Sequence, residues 1–270
     1  MQAGITSPEQ FYAYVIGRSA RAIEQQREDC ACIPELPAEV DFTFVQEFFA
    51  EACARGWRFA LLLDEFEKLT DGHIFGETFF NSLRALSTEP KVDVAWVTTS
   101  FRDLYDLGRQ VGLGETSPFF NIFDPFPFYL NALSETEAKR LLIEPAAKMG
   151  DHFADQDVDS ILSFAGRLPF ALQLAASRLF RAHRDGMAGL VAQSKAREEF
   201  SAAMKKHFDH YWKQFTPAEC QVLRRVAQAS GLTREDHTPL KGLVDYGFVE
   251  EIKGDYRILG EALREYLAVK

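Results

Sequence analysis

Two adjacent carboxylates follow an apolar run in the stretch RFALLLDEFEKL, residues 58–69. The run Phe59–Leu63 is too short for an independent helix and is typical of a buried strand, so Asp64 and Glu65 stand where that strand ends. A hard cation such as Mg²⁺ prefers carboxylate oxygens, and a neighbouring carboxylate can orient or deprotonate a water molecule. The pair therefore indicates a hydrolytic metal site. The alternative is that both acids begin a solvated helix, whose N-terminus favours negative charge.

A second run of the same kind, VDVAWVTTS at residues 92–100, predicts another buried strand that also ends in polar residues. In an open parallel sheet, ligands bind in the crevice beyond the carboxyl ends of the strands. The sequence therefore predicts one polar sheet edge that gathers Asp64, Glu65, Thr98, Thr99 and Ser100.

Helical patterns flank both predicted strands. Apolar residues recur at helical spacing before the first strand and again between the two, so we expect helices to cover both faces of the strand Phe59–Leu63. Strands that alternate with helices favour an α/β layer over an all-helical bundle. The apolar residues that carry these patterns are Val45, Phe48, Phe49, Ala52, Phe79, Phe80, Leu83 and Leu86.

Composition narrows the class of protein. The chain has 270 residues and a formal charge of -10, which argues against a broad, sequence-independent grip on nucleic acid. It has neither an apolar run long enough for a membrane helix nor a signal peptide at its start, so we expect a cytoplasmic protein without a membrane partner. We interpret Cys30, Cys32, Cys53 and Cys220 as free thiols, with a metal or redox role for the first two as the alternative.

The middle of the chain, residues 129–213, reads as helical. Ser134 and Glu137 form a capping-box pattern, and Pro169 suits the first turn of a further helix. A long polar helix over about residues 190–213 carries His207 and His210. These two histidines could share a face as metal ligands, but without a third ligand we favour solvated side chains.

The C-terminal segment, residues 214–270, has the pattern of a winged helix. Thr216 and Glu219 cap one helix, a second ends at Gly247, and FVEEIKGDYRIL at 248–259 has two strand-like halves. In the candidate recognition helix, Lys241 is balanced by Asp245, so phosphate-neutralising cations are sparse. DNA binding is therefore not favoured, and we expect an internal packing or regulatory module.

In this order, the motifs resemble the STAND branch of the AAA-like P-loop ATPases, near its Orc-like and NACHT-like groups. The segment LLLDE at 61–65 resembles a Walker B strand, and VAWVTTS at 94–100 resembles a sensor 1 strand. In this sequence, YLNALSETEAKRLLIEPA at 129–146 resembles the start of the family's helical lid. AGRLPFALQLAASRLF at 165–180 resembles the family's GxP signature. The resemblance implies a partial P-loop NTPase α/β core over 1–128, a helical lid over 129–213 and a winged-helix domain over 214–270.

The resemblance also implies roles for individual residues. Asp64 would hold Mg²⁺, Glu65 would orient or deprotonate the attacking water, and Thr99 or Ser100 would sense the γ-phosphate. Arg102 would stabilise phosphate charge. In the lid, Pro169 would lie near the adenine, with Gly166 permitting the turn before it. The implied cofactors of the complete parent protein are ATP and Mg²⁺.

One motif of that family is missing from this sequence. The phosphate-cradling pattern G-x-x-x-x-G-K-[ST] does not occur, and its lookalike GLGETS at 112–117 has no lysine and follows the second strand. We expect that the chain begins just after the second strand of the family's sheet, through a partial gene sequence, an engineered fragment or a real loss. We therefore expect neither tight ATP binding nor turnover by this chain alone.

Three functions fit these patterns. The preferred one is a nucleotide-gated signalling or regulatory switch of the STAND type that lacks its phosphate loop. The first alternative is a non-catalytic adaptor that binds protein partners, and the second is a winged-helix DNA-binding regulator. An apolar sheet edge without its neighbouring strands also predicts self-association and marginal stability.

Overall fold

The computed structural model describes residues 4–26, 37, 39–71, 74–114, 116–123 and 127–270. The chain divides into two compact units, Met1–Pro127 and Phe128–Lys270. Among the cysteines, Cys53 and Cys220 are free thiols, whereas Cys30 and Cys32 lie outside the described residues.

The first unit is built around a parallel pair of strands, β1 (Phe59–Leu63) and β2 (Val94–Thr98). Their register runs from Phe59 opposite Val94 to Leu63 opposite Thr98, so the two strands end side by side. Both predicted strands and the predicted α/β class are confirmed. The parallel pairing brings the polar residues after each strand to one edge.

Helices pack against one face of this pair, and two of them begin at side-chain caps. Asp41 accepts a hydrogen bond from the Phe44 amide at 2.9 Å, and Ser7 accepts one from the Gln10 amide at 3.3 Å. Such caps satisfy amides that have no partner inside the helix. The helices of this unit are α1 (Pro8–Gln26), α2 (Phe42–Ala54), α3 (Glu67–Thr70), α4 (Glu77–Thr88) and α5 (Leu104–Gln110), followed by a 3₁₀ turn at Pro118–Ile122.

One face of the sheet packs on an aromatic core. The indole N–H of Trp96 donates to the Leu83 carbonyl of α4 at 3.0 Å, and the Phe59 ring meets Phe49 of α2 edge-on at 4.9 Å. Phe80 of α4 is fully buried in the same core. These contacts hold both strands against the helices that flank them.

The opposite face of the sheet, which we call the open sheet face, is exposed within the described residues. Leu62 is 73% exposed and its register partner Val97 is 47% exposed. Ala60 and Ala95 lie on the same face and are also exposed. The expectation that helices cover both faces of β1 is therefore wrong for the described part of the chain, because only one face has a packing partner.

The second unit is mostly helical. Ser134 and Glu137 form the predicted capping box, and Thr216 and Glu219 form another. Alanines buried in α8 and α9, such as Ala175 and Ala196, allow the two helices to pack closely. The helices are α6 (Glu135–Lys148), α7 (Asp155–Ala165), α8 (Pro169–Arg184), α9 (Gly189–Gln214), α10 (Pro217–Ala227), α11 (His237–Asp245) and α12 (Glu261–Leu267), with a 3₁₀ turn at Arg234–Asp236.

Between α11 and α12 the chain forms a hairpin of strands β3 (Val249–Ile252) and β4 (Asp255–Ile258). Its turn residues Lys253 and Gly254 have φ angles of 55° and 88°. Two successive residues with positive φ make a type I′ turn, which matches the twist of paired strands. The predicted hairpin is confirmed, whereas α12 was not anticipated from the sequence.

Three glycines with positive φ form two close backbone contacts in this unit, which together we call the glycine junction. A Cβ on Gly166 (φ +73°) would lie 2.8 Å from the Leu259 carbonyl oxygen, and one on Gly260 (φ +92°) 2.8 Å from the Gly166 amide nitrogen. A Cβ on Gly247 (φ +74°) would lie 2.6 Å from the Ala132 nitrogen. Only glycine fits these positions without displacing backbone.

Candidate functional site

The candidate site lies where β1 and β2 end, and Thr99 is at its centre. The Thr99 amide donates to the Leu63 carbonyl at 3.0 Å, and the Thr99 carbonyl accepts from the Phe66 amide at 2.8 Å. The ladder between the two strands thus continues past β1 but skips Asp64 and Glu65. These two residues form a bulge that projects from the sheet edge.

The Thr99 side chain joins the two acids of this bulge. Its hydroxyl donates to Asp64 Oδ1, which lowers the pKa of that carboxyl, with a smaller contribution from the Glu65 amide. The Glu65 amide reaches Asp64 Oδ1 at 3.1 Å and Thr99 Oγ1 at 3.4 Å. Glu65 itself has a φ of 57°, an uncommon conformation for a residue other than glycine. The structure therefore brings Asp64, Glu65 and Thr99 together, as the sequence predicts.

Lys68 is part of this cluster and was missed by the sequence reasoning. Its ammonium forms an ion pair with Glu65, one turn away along the chain. The hydrogen bond from Lys68 lowers the pKa of Glu65, and the same bond raises the pKa of Lys68. The i, i+3 spacing between the two residues could have indicated the pair, because a single turn, closed here by the Lys68 amide and the Glu65 carbonyl at 3.0 Å, brings such residues together.

Ser100 and Arg102 follow the site but direct their polar groups elsewhere. The Ser100 hydroxyl donates to the Arg102 carbonyl at 2.7 Å. The Arg102 side chain is 9% exposed, and its guanidinium lies 3.5 Å from the Asp106 carboxylate. Both groups are thus engaged locally, so contact with a phosphate would require that they exchange these partners. Their predicted phosphate-binding roles stay predictions.

Gly166 and Pro169 belong to the second unit. Pro169 opens α8, which suits its lack of an amide hydrogen, and two residues separate it from Gly166. Gly166 ends α7 and takes part in the glycine junction. Contact of either residue with a nucleotide stays a prediction, whereas their local structural roles are evident.

A magnesium ion fits the chemistry of Asp64. Oδ1 of this carboxylate accepts the two hydrogen bonds described above, while Oδ2 has no hydrogen-bond donor among the described residues. No cluster of three or more His, Cys, Asp or Glu ligands occurs in that part of the chain. Mg²⁺ commonly binds one or two carboxylates and completes its shell with water and substrate phosphate. A single exposed carboxylate with a free oxygen fits this mode.

The second unit contains a cleft of about 390 Å³ at the glycine junction. Part of its charged lining is paired: Arg167 donates to Glu250 at 2.9 Å, Arg257 also binds Glu250, and Glu261 binds Arg197 at 2.9 Å. Arg167 also donates to the Leu133 carbonyl at 2.9 Å. With these charges compensated and backbone in close contact beside it, the cleft resembles a packing junction more than a ligand site.

His207 and His210, considered above as metal ligands only as an alternative, belong to no group of three or more potential metal ligands within the described residues. His207 instead packs against the Phe170 ring, with ring centroids 4.5 Å apart. None of the helices in the described ranges has the length and apolarity required to cross a membrane.

Residues 50–232 match the family Novel STAND NTPase 2, and this match covers more than half of the chain. The protein therefore belongs to this STAND NTPase family. No curated protein matches the sequence.

Two solved structures are similar to the chain. The Walker-type ATPase PABY2304 of Pyrococcus abyssi has a TM-score of 0.64 and 11% identity, covering 99% of this chain and 81% of that one. The Aeropyrum pernix ORC2 protein, solved as ADPNP and ADP complexes, has a TM-score of 0.40 and 13% identity, covering 92% and 74%. The first likeness shows that this chain shares the fold of a Walker-type ATPase.

Proposed function

We propose that this chain is the metal-binding and regulatory portion of a STAND ATPase that acts as a nucleotide-gated signalling switch. The observation that carries the proposal is the cluster of Asp64, Glu65 and Thr99 at the carboxyl edge of a parallel strand pair. In this proposal Asp64 holds Mg²⁺ and Glu65 orients the attacking water. The bound ion would neutralise charge on the phosphates.

The phosphate-binding groups come from outside this sequence in our proposal, because the sequence contains no G-x-x-x-x-G-K-[ST] pattern. The open sheet face supports this idea. Its exposed Leu62 and Val97 each lie two positions before the site residues, Asp64 and Thr99 respectively, so a segment packed there would reach the same edge. Without such a segment we expect neither tight ATP binding nor turnover.

The remaining elements would form the switch itself. We assign residues 129–213 to a helical lid and 214–270 to a winged helix, supported by the helix, helix and hairpin order of α10, α11, β3 and β4. DNA binding is not favoured, because Glu250 of the wing binds both Arg257 of the wing and Arg167, which precedes α8, and so compensates their positive charge. We place this switch in the cytoplasm, with protein partners.

Calorimetry with Mg-ATP tests the proposal. The chain is compared with a version extended upstream to any P-loop encoded in the gene, each with and without Asp64→Ala. Asp93→Ala is the matched control, because Asp93 precedes β2 at the opposite end of the sheet and pairs with Arg58 at 3.0 Å. We expect binding by the extended form alone, lost in Asp64→Ala and kept in Asp93→Ala.

Absence of binding by both forms would favour the second candidate, a non-catalytic adaptor that uses the apolar open sheet face to bind a protein. A DNA-binding regulator would instead show DNA affinity in a gel-shift assay, reduced by Lys241→Glu. That result would contradict the proposal.

A further inference from the structure

We propose that Thr99 is a positioning residue that fixes the Asp64 carboxylate and the bulge around it, rather than a hydroxyl that contacts the γ-phosphate. This inference rests on the proposed function for the identity of the metal. It replaces the role that the family resemblance implies for Thr99. Its support comes from the geometry of the sheet edge.

Every polar group of Thr99 is engaged with the segment from Leu63 to Phe66. The backbone amide and carbonyl close the two ends of the bulge at 3.0 and 2.8 Å, and the hydroxyl lies between them against Asp64. One residue of β2 thus fixes the ends and the middle of the acidic segment. Among these three groups of Thr99, only the hydroxyl depends on the residue type, because the amide and the carbonyl belong to the backbone.

The hydrogen-bonding capacity of a hydroxyl limits what Thr99 can do. A threonine has one O–H donor, and here that donor is directed at Asp64 Oδ1, while the oxygen accepts a 3.4 Å contact from the Glu65 amide. Phosphate oxygens are acceptors and require a donor. To contact a γ-phosphate, Thr99 would have to release Asp64 at the moment when the metal needs it.

The same bond selects which oxygen of Asp64 is free. Oδ1 is held by the Thr99 hydroxyl and the Glu65 amide, so Oδ2 is left for the cation. Groups that orient a metal ligand in this way commonly affect metal affinity about 10- to 100-fold. Thr99 would therefore act on the ion through Asp64, before any nucleotide binds.

Three variants separate this role from a phosphate contact. Thr99→Val keeps the branched shape and removes the hydroxyl, and Thr99→Ser keeps the hydroxyl. Thr98→Val makes the same change one residue earlier, within β2. Mn²⁺ affinity is measured by electron paramagnetic resonance on the nucleotide-free chain, and a thermal melt followed by circular dichroism checks folding of each variant.

We expect Thr99→Val to weaken Mn²⁺ binding about tenfold, while Thr99→Ser and Thr98→Val stay within about twofold of the parent. Unchanged Mn²⁺ affinity in Thr99→Val would overturn the proposal. If Thr99→Val weakened Mn²⁺ binding only when nucleotide is present, the hydroxyl would contact a phosphate, and this result would also overturn the proposal.

A second readout needs no metal. Three-bond NMR couplings to Asp64 Cγ report the side-chain rotamer about χ1. We expect one rotamer in the parent and in Thr99→Ser, and rotamer averaging in Thr99→Val. A single rotamer in all three would contradict the inference even if the parent bound no Mn²⁺. Averaging in Thr99→Val without Mn²⁺ binding by the parent would support the positioning role and reject the proposed metal site.

Discussion

The sheet edge of the first unit and the glycine junction of the second use opposite means to bring distant residues together. At the edge, side chains meet side chains: Thr99 and Lys68 bind the exposed carboxylates Asp64 and Glu65. At the junction, backbone meets backbone around Gly166, where no side chain fits. The family resemblance assigned cofactor contacts to residues of both places.

The two places differ in whether the residue has a chemical group left to bind a ligand. Asp64 presents an oxygen without a donor among the described residues, so it keeps a capacity for binding. The contact between Gly166 and Leu259 leaves no room for a side chain, so packing alone explains why a glycine occupies this position. The sheet edge is therefore the stronger candidate for function, and the junction is the stronger candidate for stability.

The largest expected effect comes from Gly166→Ala. The new Cβ would lie 2.8 Å from the Leu259 carbonyl oxygen, and the positive φ adds strain. Strain and overpacking each cost about 1–3 kcal/mol, so we expect a loss of about 3 kcal/mol in the free energy of unfolding. Urea denaturation measures this change.

Gly150→Ala is the matched control for that substitution. Gly150 has a similar φ of +77° but no atom within 4 Å of the added Cβ. We expect only the strain cost of about 1 kcal/mol. Equal losses in the two variants would mean that the glycine junction contributes no steric constraint.

A smaller contrast concerns the two faces of β1. Leu61→Ser removes a leucine that packs against the aromatic core, and we expect a loss of about 2–3 kcal/mol in the free energy of unfolding. Leu62→Ser changes a residue that is 73% exposed, and we expect a change within about 0.5 kcal/mol. Comparable losses would show that the open sheet face is covered in solution. Analytical ultracentrifugation of both variants would then reveal whether a second copy covers it.

The smallest effect is expected for the charges at the junction. Glu250 binds Arg167 and Arg257, but Arg257 is 64% exposed, so water screens its attraction to Glu250, and Arg167 keeps its hydrogen bond to the Leu133 carbonyl when Glu250 is changed. We expect Glu250→Gln to cost about 1 kcal/mol or less, with a smaller cost at high salt. A loss as large as that of Gly166→Ala would mean that ion pairs, rather than backbone fit, hold the junction together.

Local patterns were sufficient to predict much of this fold. The apolar run and the acids after it set the bounds of β1, and the spacing of Ser134 and Glu137 predicted their capping box. The two strand-like halves of FVEEIKGDYRIL predicted the hairpin of β3 and β4. Each of these features depends on residues that are close in the sequence, where side-chain chemistry and backbone preference act directly.

Features that depend on distant partners could not be predicted in the same way. The exposure of Leu62 follows from the absence of a packing partner in the described structure, which its apolar character does not reveal. The close fit of Gly166 depends on Leu259, far along the chain. For the site, residue types predicted that Asp64 and Thr99 would meet, but not that the hydroxyl would bind the carboxylate.

The way in which Thr99 closes the bulge also bears on how this segment can change in evolution. Its amide and carbonyl bind Leu63 and Phe66, so the spacing between these two positions matches a single residue of the neighbouring strand. Substitutions at Asp64 or Glu65 would alter chemistry but leave this spacing intact. A one-codon insertion or deletion between positions 63 and 66 would break it. We therefore expect the length between positions 63 and 66 to be kept even in related chains in which Asp64 and Glu65 are replaced.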